Sequence, residues 1–209
     1  MKKSFIFILC AVLFTCCTKT PEQKAEALIK DSVVKHLYVP DSYQPVETQL
    51  DSAFAPLQDP ELIKAVLDLY DMAKDCEDKK SKIKYAKSDM SLWNYPYMSE
   101  YAKEQYKEAK EKHDELQASY DKLMSRMEKK GKWIKNKMYE EPNFIGYIAY
   151  HRFRAKNNAG NTLFGGAYYL INPDLTSIVA EWKEDEINLF SSLIDEIKDN
   201  LENADSLQI

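Results

Sequence analysis

The sequence predicts an α+β protein: a curved antiparallel sheet of about four strands, packed by N- and C-terminal helices, with a long antiparallel helical hairpin inserted after the first strand. Three observations carry this expectation. Residues 144–182 contain three alternating runs, FIGYIAYHRFRA, NTLFGGAYYLI and TSIVAEW, separated by two polar turns. A fourth alternating run lies at 44–55, well before them. Between the two regions, apolar residues recur at alternating spacings of 4 and 3, the signature of helices packed along a seam.

The strand assignments rest on a side-chain period of two. In the first run Ile145, Tyr147, Ala149, His151 and Phe153 share one face, and Phe144, Ile148, Tyr150, Arg152 and Arg154 share the other. In the second, Leu163, Ala167, Tyr169 and Ile171 oppose Phe164, Tyr168 and Leu170. In the third, Ile178, Ala180 and Trp182 fall together. The connections, residues 156–161 and 172–174, are rich in Asn, Gly, Pro and Asp, which tolerate turn dihedrals. Gly165 and Gly166 inside a strand predict a bulge or bend, hence a curved sheet with a concave face. In the early run Val46, Thr48, Leu50, Ser52 and Phe54 alternate with polar neighbours, and Pro45 and Pro56 bracket it, as suits an edge strand.

Thr20-Pro21-Glu22-Gln23 reads as a helix start, with Thr as N-cap, Pro at N1 and Gln at N3. Ala25, Leu28, Ile29, Val33 and Leu37 trace its apolar face, and Pro40 stops it. Asp59-Pro60-Glu61 opens a second helix whose seam is Leu62, Val66, Leu69, Ala73, Cys76, Lys80 and Ile83. A third, over about 99–130, carries Tyr106, Ala109, His113, Leu116, Tyr120, Leu123 and Met127, and Gly131 is expected to end it. Together they form a hairpin at about 60–131. Its tip, residues 88–97, contains Trp93, Tyr95 and Tyr97. These rings either form a contact surface or fold back onto their own helices. Ile187, Phe190, Ile194, Ile197 and Leu201 define a final amphipathic helix, with Glu184, Asp185 and Glu186 at its N-terminal dipole end.

Bulk properties bound the function. The 209 residues are 44% apolar and 30% charged, which fits a single folded domain over 21–209 with an insertion. The net charge is −5, and loss of Lys2 and Lys3 with a signal segment makes the chain more acidic still. Such a protein is a poor nucleic-acid binder. Lys2 and Lys3 precede an apolar run from Ser4 to Thr15, too short for a comfortable membrane span. The run ends in Leu13-Phe14-Thr15-Cys16, which resembles a bacterial lipobox. That resemblance implies a signal peptide at 1–15, a lipidated tether at 16–20, Cys16 as lipid acceptor and a stable membrane anchor. Phe14 departs from the pattern, and Cys17 is the poorer alternative acceptor. With Cys10 removed and Cys16 lipidated, only Cys17 and Cys76 remain. Cys76 is expected to be a small buried helix residue, and no Cys/His cluster suggests zinc.

Two segments, TPEQKAEALIKDSVVKHLYVPDSYQPVETQLDSAFAP and YHRFRAKNNAGNTLFGGAYYLINPDLTSIVAEW, resemble small lipoproteins of Bacteroidetes-type bacteria. A helix packing on a curved antiparallel sheet is similar to cystatin-like or nuclear-transport-factor-like α+β rolls, which host enzymes, inhibitors and binding modules alike. The resemblance implies a cell-envelope protein. Surface-exported lipoproteins of those bacteria resemble one another in carrying acidic residues just after the acceptor cysteine; Cys17-Thr18-Lys19-Thr20 lacks them, so the resemblance implies an outer-membrane anchor that faces the periplasm.

No catalytic constellation, cofactor motif or metal motif emerges: HExxH, GxSxG, GxGxxG and P-loop patterns are missing. The favoured expectation is therefore a non-enzymatic, lipid-anchored envelope protein that binds a protein or a glycan through its hairpin tip or its sheet. The alternative is a ligand cup or small hydrolase on the concave sheet face, built from Tyr147, His151, Tyr169 and Trp182, with His151 as general base. Residues 126–137 hold Arg126, Lys129, Lys130, Lys132, Lys135 and Lys137 around Trp133 and Ile134. They suit anionic headgroups or are simply a charged helix end and linker. Arg152, Arg154 and Lys156 offer a weaker anion site. His113 and His36 have no evident partner, and the carboxylates at 71, 75, 104, 108 and 111 read as a solvated face.

Overall fold

The computed structural model describes the backbone of residues 19–206 and the side chains of residues 19–200. The expected signal segment, and Cys16 and Cys17 with it, lie outside the described residues. The order is α1 (Pro21–Val33), β1 (Gln44–Ala55), α2 (Pro60–Trp93), α3 (Glu100–Met138), β2 (Asn143–Lys156), β3 (Thr162–Ile171), β4 (Ile178–Lys183) and α4 (Glu184–Ser206). Two compact units result. One comprises the chain up to Ala55 with Asn143–Asn188; the other comprises Pro56–Pro142 with the chain from Leu189.

In the first unit the strands form one antiparallel sheet in the order β1-β2-β3-β4. Helix α1 starts where the sequence places it. The Thr20 hydroxyl accepts a hydrogen bond from the Gln23 backbone N–H at 3.3 Å, and the Thr20 N–H donates to Gln23 Oε1 at 3.1 Å. Such a cap contributes about 1 kcal/mol, whereas burying each of Ile29 and Val33 contributes roughly 1.5–3 kcal/mol. Burial holds the helix; the cap sets where it begins. Its face of Ala25, Ile29 and Val33 packs with Ala149, Ala167, Tyr169 and Ile171 from β2 and β3.

The sheet bends at other places than expected. Gly165 and Gly166 pair in unbroken register with Phe153 and Arg152. Gly165 is small for a different reason: the Phe153 ring occupies the space that a side chain there would need. The irregularities lie near Pro45, at Ala53/Phe54 opposite Gly146, and between Leu170 and Ile171. Gly146 has φ +140°, and a Cβ there would collide with the Ile171 carbonyl. This irregularity overturns the expected separation of Phe144 from Tyr147, whose rings meet edge-on at 5.4 Å. The irregularity in β4 likewise separates Ile178 from Ala180 and Trp182. Ile178 pairs with Ile171 and joins the α1-facing core, whereas Trp182 pairs with Tyr168 on the opposite face. Each tight connection is built on an asparagine. The Asn157 side-chain carbonyl accepts from the N–H groups of Ala159 and Asn161, and that of Asn172 from Thr176 and Ser177.

The hairpin is longer than the sequence suggests. Gly131 does not end α3, which continues to Met138. Glycine within a helix costs about 1 kcal/mol relative to alanine. That cost is offset by burial of Ile134 and by Lys137, which meets Asp59 at 3.2 Å and Glu140 at 2.7 Å. The α3 seam otherwise follows the expected positions, from Tyr106 to Met127. In α2 Cys76 and Ile83 hold their expected places, but Met72 and Lys79 replace Ala73 and Lys80 on the inward face. Met72, Cys76, Lys79, Ile83 and Ala86 turn inward, and the expected Lys80 is exposed. Cys76 is buried, as expected, with its thiol 3.2 Å from the Met127 sulfur. Polar seam residues find partners: Lys79 donates to Ser119 at 2.9 Å and Lys130 to Asp68 at 2.8 Å. Helix α4 follows β4 without a loop, the Glu186 carboxylate accepting from the Lys183 N–H.

Two glycines should respond oppositely to alanine. Gly146→Ala should destabilise by about 1–3 kcal/mol, because a Cβ would meet backbone at positive φ. Gly131→Ala, helical with open space around it, should stabilise by about 1 kcal/mol. Thermal denaturation of the two variants reads both signs.

Candidate functional site

The sequence offered two sites, a cup at His151 and an aromatic hairpin tip. At the first, β2 carries His151 between Ala149 and Phe153 on the face covered by α1. Its relative exposure is 0%. Nε2 lies 2.8 Å from the Tyr43 hydroxyl and Nδ1 lies 2.9 Å from the Thr48 hydroxyl. Both hydroxyls can donate or accept, so a neutral imidazole is satisfied in either tautomer. The rings of Tyr43 and Phe153 lie near it, at centroid distances of 6.1 and 6.0 Å. Burial depresses the His151 pKa below its ordinary 6.5, partly opposed by the Glu26 carboxylate. Burial, with a contribution from Glu26, pushes the Tyr43 hydroxyl up to about 12. Burial also raises Tyr169, which is 1% exposed and donates to Glu181 at 3.4 Å.

This geometry corrects the expected cup. A general base must reach a substrate proton, and His151 has both ring nitrogens engaged and no exposed surface. Tyr147, His151 and Tyr169 do share a face, but α1 packs on that face. Trp182 is on the other side of the sheet. The four residues therefore do not form one open site. His151 is a hydrogen-bonded polar node inside a core, fastening the Tyr43 segment and β1 to β2. Such buried, fully partnered groups specify a unique packing.

At the second site the rings do not all fold back. Helix α2 runs 34 residues, about 50 Å at 1.5 Å per residue, and ends at Trp93. The chain turns through Asn94–Met98 and re-enters α3 at Ser99, whose hydroxyl accepts from the Ala102 N–H at 3.2 Å. Trp93 is half-buried, edge-on to Tyr101 at 5.8 Å. Around it Leu92, Tyr95, Tyr97 and Tyr101 are exposed, Tyr97 completely so. Tyr97 also has φ +63°, a left-handed conformation that costs a bulky residue energy and concentrates at binding sites. Leu92 lies within the expected tip at 88–97 without being singled out there, and Tyr101 escaped the sequence reading because it lies off the hairpin seam and outside any motif. The clue available was their position within one turn of the tip.

The charged candidates divide. Lys130 and Lys137 turn into the hairpin toward Asp68 and Asp59, and Lys132 pairs with Glu128 at 2.7 Å. Arg126 and Lys129 point instead into a surface groove beside Trp133. Arg154 donates to Gln44 at 2.7 Å and Arg152 approaches Glu47 at 4.0 Å. The carboxylates at 71 and 111 make exposed intrahelical pairs with Lys74 and Lys107. His113 contacts its neighbour Asp114 at 3.1 Å. Among the described residues no cluster of His, Cys, Asp or Glu suits a metal ion, and no helix is long and apolar enough to cross a membrane.

Because the folded state disfavours His151 protonation, the unfolded state binds more protons as pH falls through about 6.5. Stability from this residue should be complete above that pH and decline as pH falls through the lowered folded value. In His151→Gln this component of the pH dependence of thermal stability should vanish, and an unchanged profile would contradict it. Comparison of the chain with protein-family models, with curated proteins and with solved structures gives no match in any of the three.

Proposed function

We propose that this protein is a non-enzymatic, lipid-anchored module of the bacterial cell envelope that engages a partner protein through the tip of its helical hairpin. The observation that carries the reading is the exposed cluster of Leu92, Tyr95, Tyr97 and Tyr101 around Trp93. Trp and Tyr dominate protein contact sites because they bury large area with little loss of side-chain freedom. A surface of such rings at the end of a slender hairpin is costly in water unless something covers it. Closure of the His151 face removes the observation that favoured a hydrolase.

Anchoring rests on the sequence: the basic Lys2-Lys3 start, the short apolar run and the lipobox-like Leu13–Cys16. Its consequences are an outer-membrane tether facing the periplasm, with the hairpin held within reach of envelope partners. The likeness to cystatin-like or nuclear-transport-factor-like rolls belongs to this proposal as an analogy in element order alone.

Metabolic labelling with palmitate should tag the wild-type chain and its Cys17→Ala variant and fail for Cys16→Ala; label persisting in the last would remove the anchor. A photoreactive residue at Tyr95 should give one discrete protein adduct in intact cells. Tyr97→Asn, which suits the left-handed backbone, should reduce that adduct roughly 10-fold or more, as expected for a contact residue contributing about 1.4–2 kcal/mol. Adducts with glycan alone, or none, would reject a protein partner.

A further inference from the structure

The hairpin carries a second feature, remote from its tip and independent of the function proposed above. A groove of about 550 Å³ lies between α2 and α3, and it is open to solvent. Ala65 and Met72, both buried, contribute apolar lining on the α2 side, and Trp133, 40% exposed, does so on the α3 side. From Glu61 to Met72 the α2 rim spans eleven helical rises, roughly 16 Å. The volume falls in the range of small-molecule sites, roughly 300–1,000 Å³.

Charge along the groove is uneven. Asp68 on the α2 rim is neutralised by Lys130 at 2.8 Å. Glu61 lies at the end near Trp133. Toward the Met72 end, Arg126 and Lys129 are exposed, one helical turn apart on α3, and make no ion pair within the described residues. The groove therefore combines an apolar length with two cations, Arg126 and Lys129, toward one end, while Lys64 and Glu61 bring opposite charges to the α2 rim toward the other. An uncharged ligand would leave those cations unused, and a cationic one would meet repulsion there. A compact anion without a tail would leave the apolar lining and Trp133 uncovered. The length matches an extended chain of about a dozen carbons, at a spacing per carbon slightly below the helical rise per residue.

We propose that this groove binds a single-chain anionic amphiphile, a fatty-acid-like molecule. Its carboxylate lies between Arg126 and Lys129, and its chain runs along Met72 and Ala65 toward Trp133. The guanidinium of Arg126 supplies the paired donors that a carboxylate takes bidentately, and Lys129 adds a second charge. Trp133 covers the chain with the flat face of its ring.

The test uses the full chain without its signal segment and monomeric laurate below its micellar concentration, titrated by calorimetry. Nuclear magnetic resonance of the Met72 methyl and the Trp133 indole N–H provides the local readout. Laurate should bind one-to-one and shift both signals. The Arg126→Gln/Lys129→Gln variant, changed only at exposed positions, should bind at least 10-fold more weakly and melt like the wild type. Trp133→Ala should also weaken binding, and dodecyltrimethylammonium, of equal chain length and opposite charge, should not compete. The proposal is overturned by equal affinity for the two detergents, by laurate affinity unchanged in the double glutamine variant, or by shifts elsewhere with Met72 and Trp133 silent. It is also overturned if phosphatidylglycerol vesicles bind while monomeric laurate does not, which would make the groove a membrane-surface contact.

Discussion

The sheet unit depends on the docking of one short helix. Thirteen residues of α1 are too few to be stable alone in water, since helix nucleation is unfavourable and short helices are marginal. The helix persists because Ala25, Ile29 and Val33 find apolar partners on β2 and β3. Small residues on that face, Ala149 and Ala167, let the helix approach closely, and the larger Tyr169 and Ile171 fill the space beside them. The same docking seals His151 from water, so its two nitrogens must be satisfied from within the fold. Tyr43 and Thr48 supply both partners. Sequence positions more than 100 residues away are thereby fastened to β2.

A different balance governs the hairpin. Burial is uneven along the seam: α2 buries Leu62, Val66, Met72, Cys76 and Ala86, whereas Tyr106, Ala109, His113, Leu116, Tyr120 and Met127 of α3 stay partly exposed. Among the described residues Met72, Cys76 and Leu123 form one buried cluster, with Tyr120 and Met127 against it. Polar residues in the seam compensate by fixing how the helices align. Lys79 with Ser119, Lys130 with Asp68 and Lys137 with Asp59 each tie one position of α3 to one of α2, and a slipped register would break them together. The thinness of the structure explains why it offers surface rather than an enclosed chamber. Its contributions are an aromatic end and a lateral groove, both suited to binding and neither to sheltering a reaction from water.

Much of this was legible beforehand. The limits of β1, the Thr20 capping box, the three-strand meander and the whole α3 seam from Tyr106 to Met127 follow from period and cap chemistry, which are local. The errors share a cause. Gly131 signals a stop because glycine ends helices on average, but Ile134 is buried and Lys137 pairs with Asp59 at the start of α2, which local sequence does not reveal. Gly165 and Gly166 suggest a bulge or bend, whereas Gly165 is required by the Phe153 ring from the neighbouring strand. The same holds for the candidate sites: Trp93, Tyr95 and Tyr97 announced a tip, but their exposure is a matter of what does not pack on them. Tyr147, His151, Tyr169 and Trp182 resembled a cup only so long as β4 kept simple alternation.

The sequence by itself determined the element types, their order and the antiparallel meander, because side-chain period, caps and turn residues act within a few positions along the chain. Its N-terminal residues also carry the expectation of a lipid anchor. Only the tertiary structure decided that His151 is sealed, that Trp182 faces away from it, and that Arg126, Lys129 and Trp133 share a groove with Met72. Those outcomes depend on one-residue irregularities in strand pairing and on the relative phase of two helices. A single-residue shift in either moves a side chain to another face, and the energies that choose the shift come from partners distant in sequence.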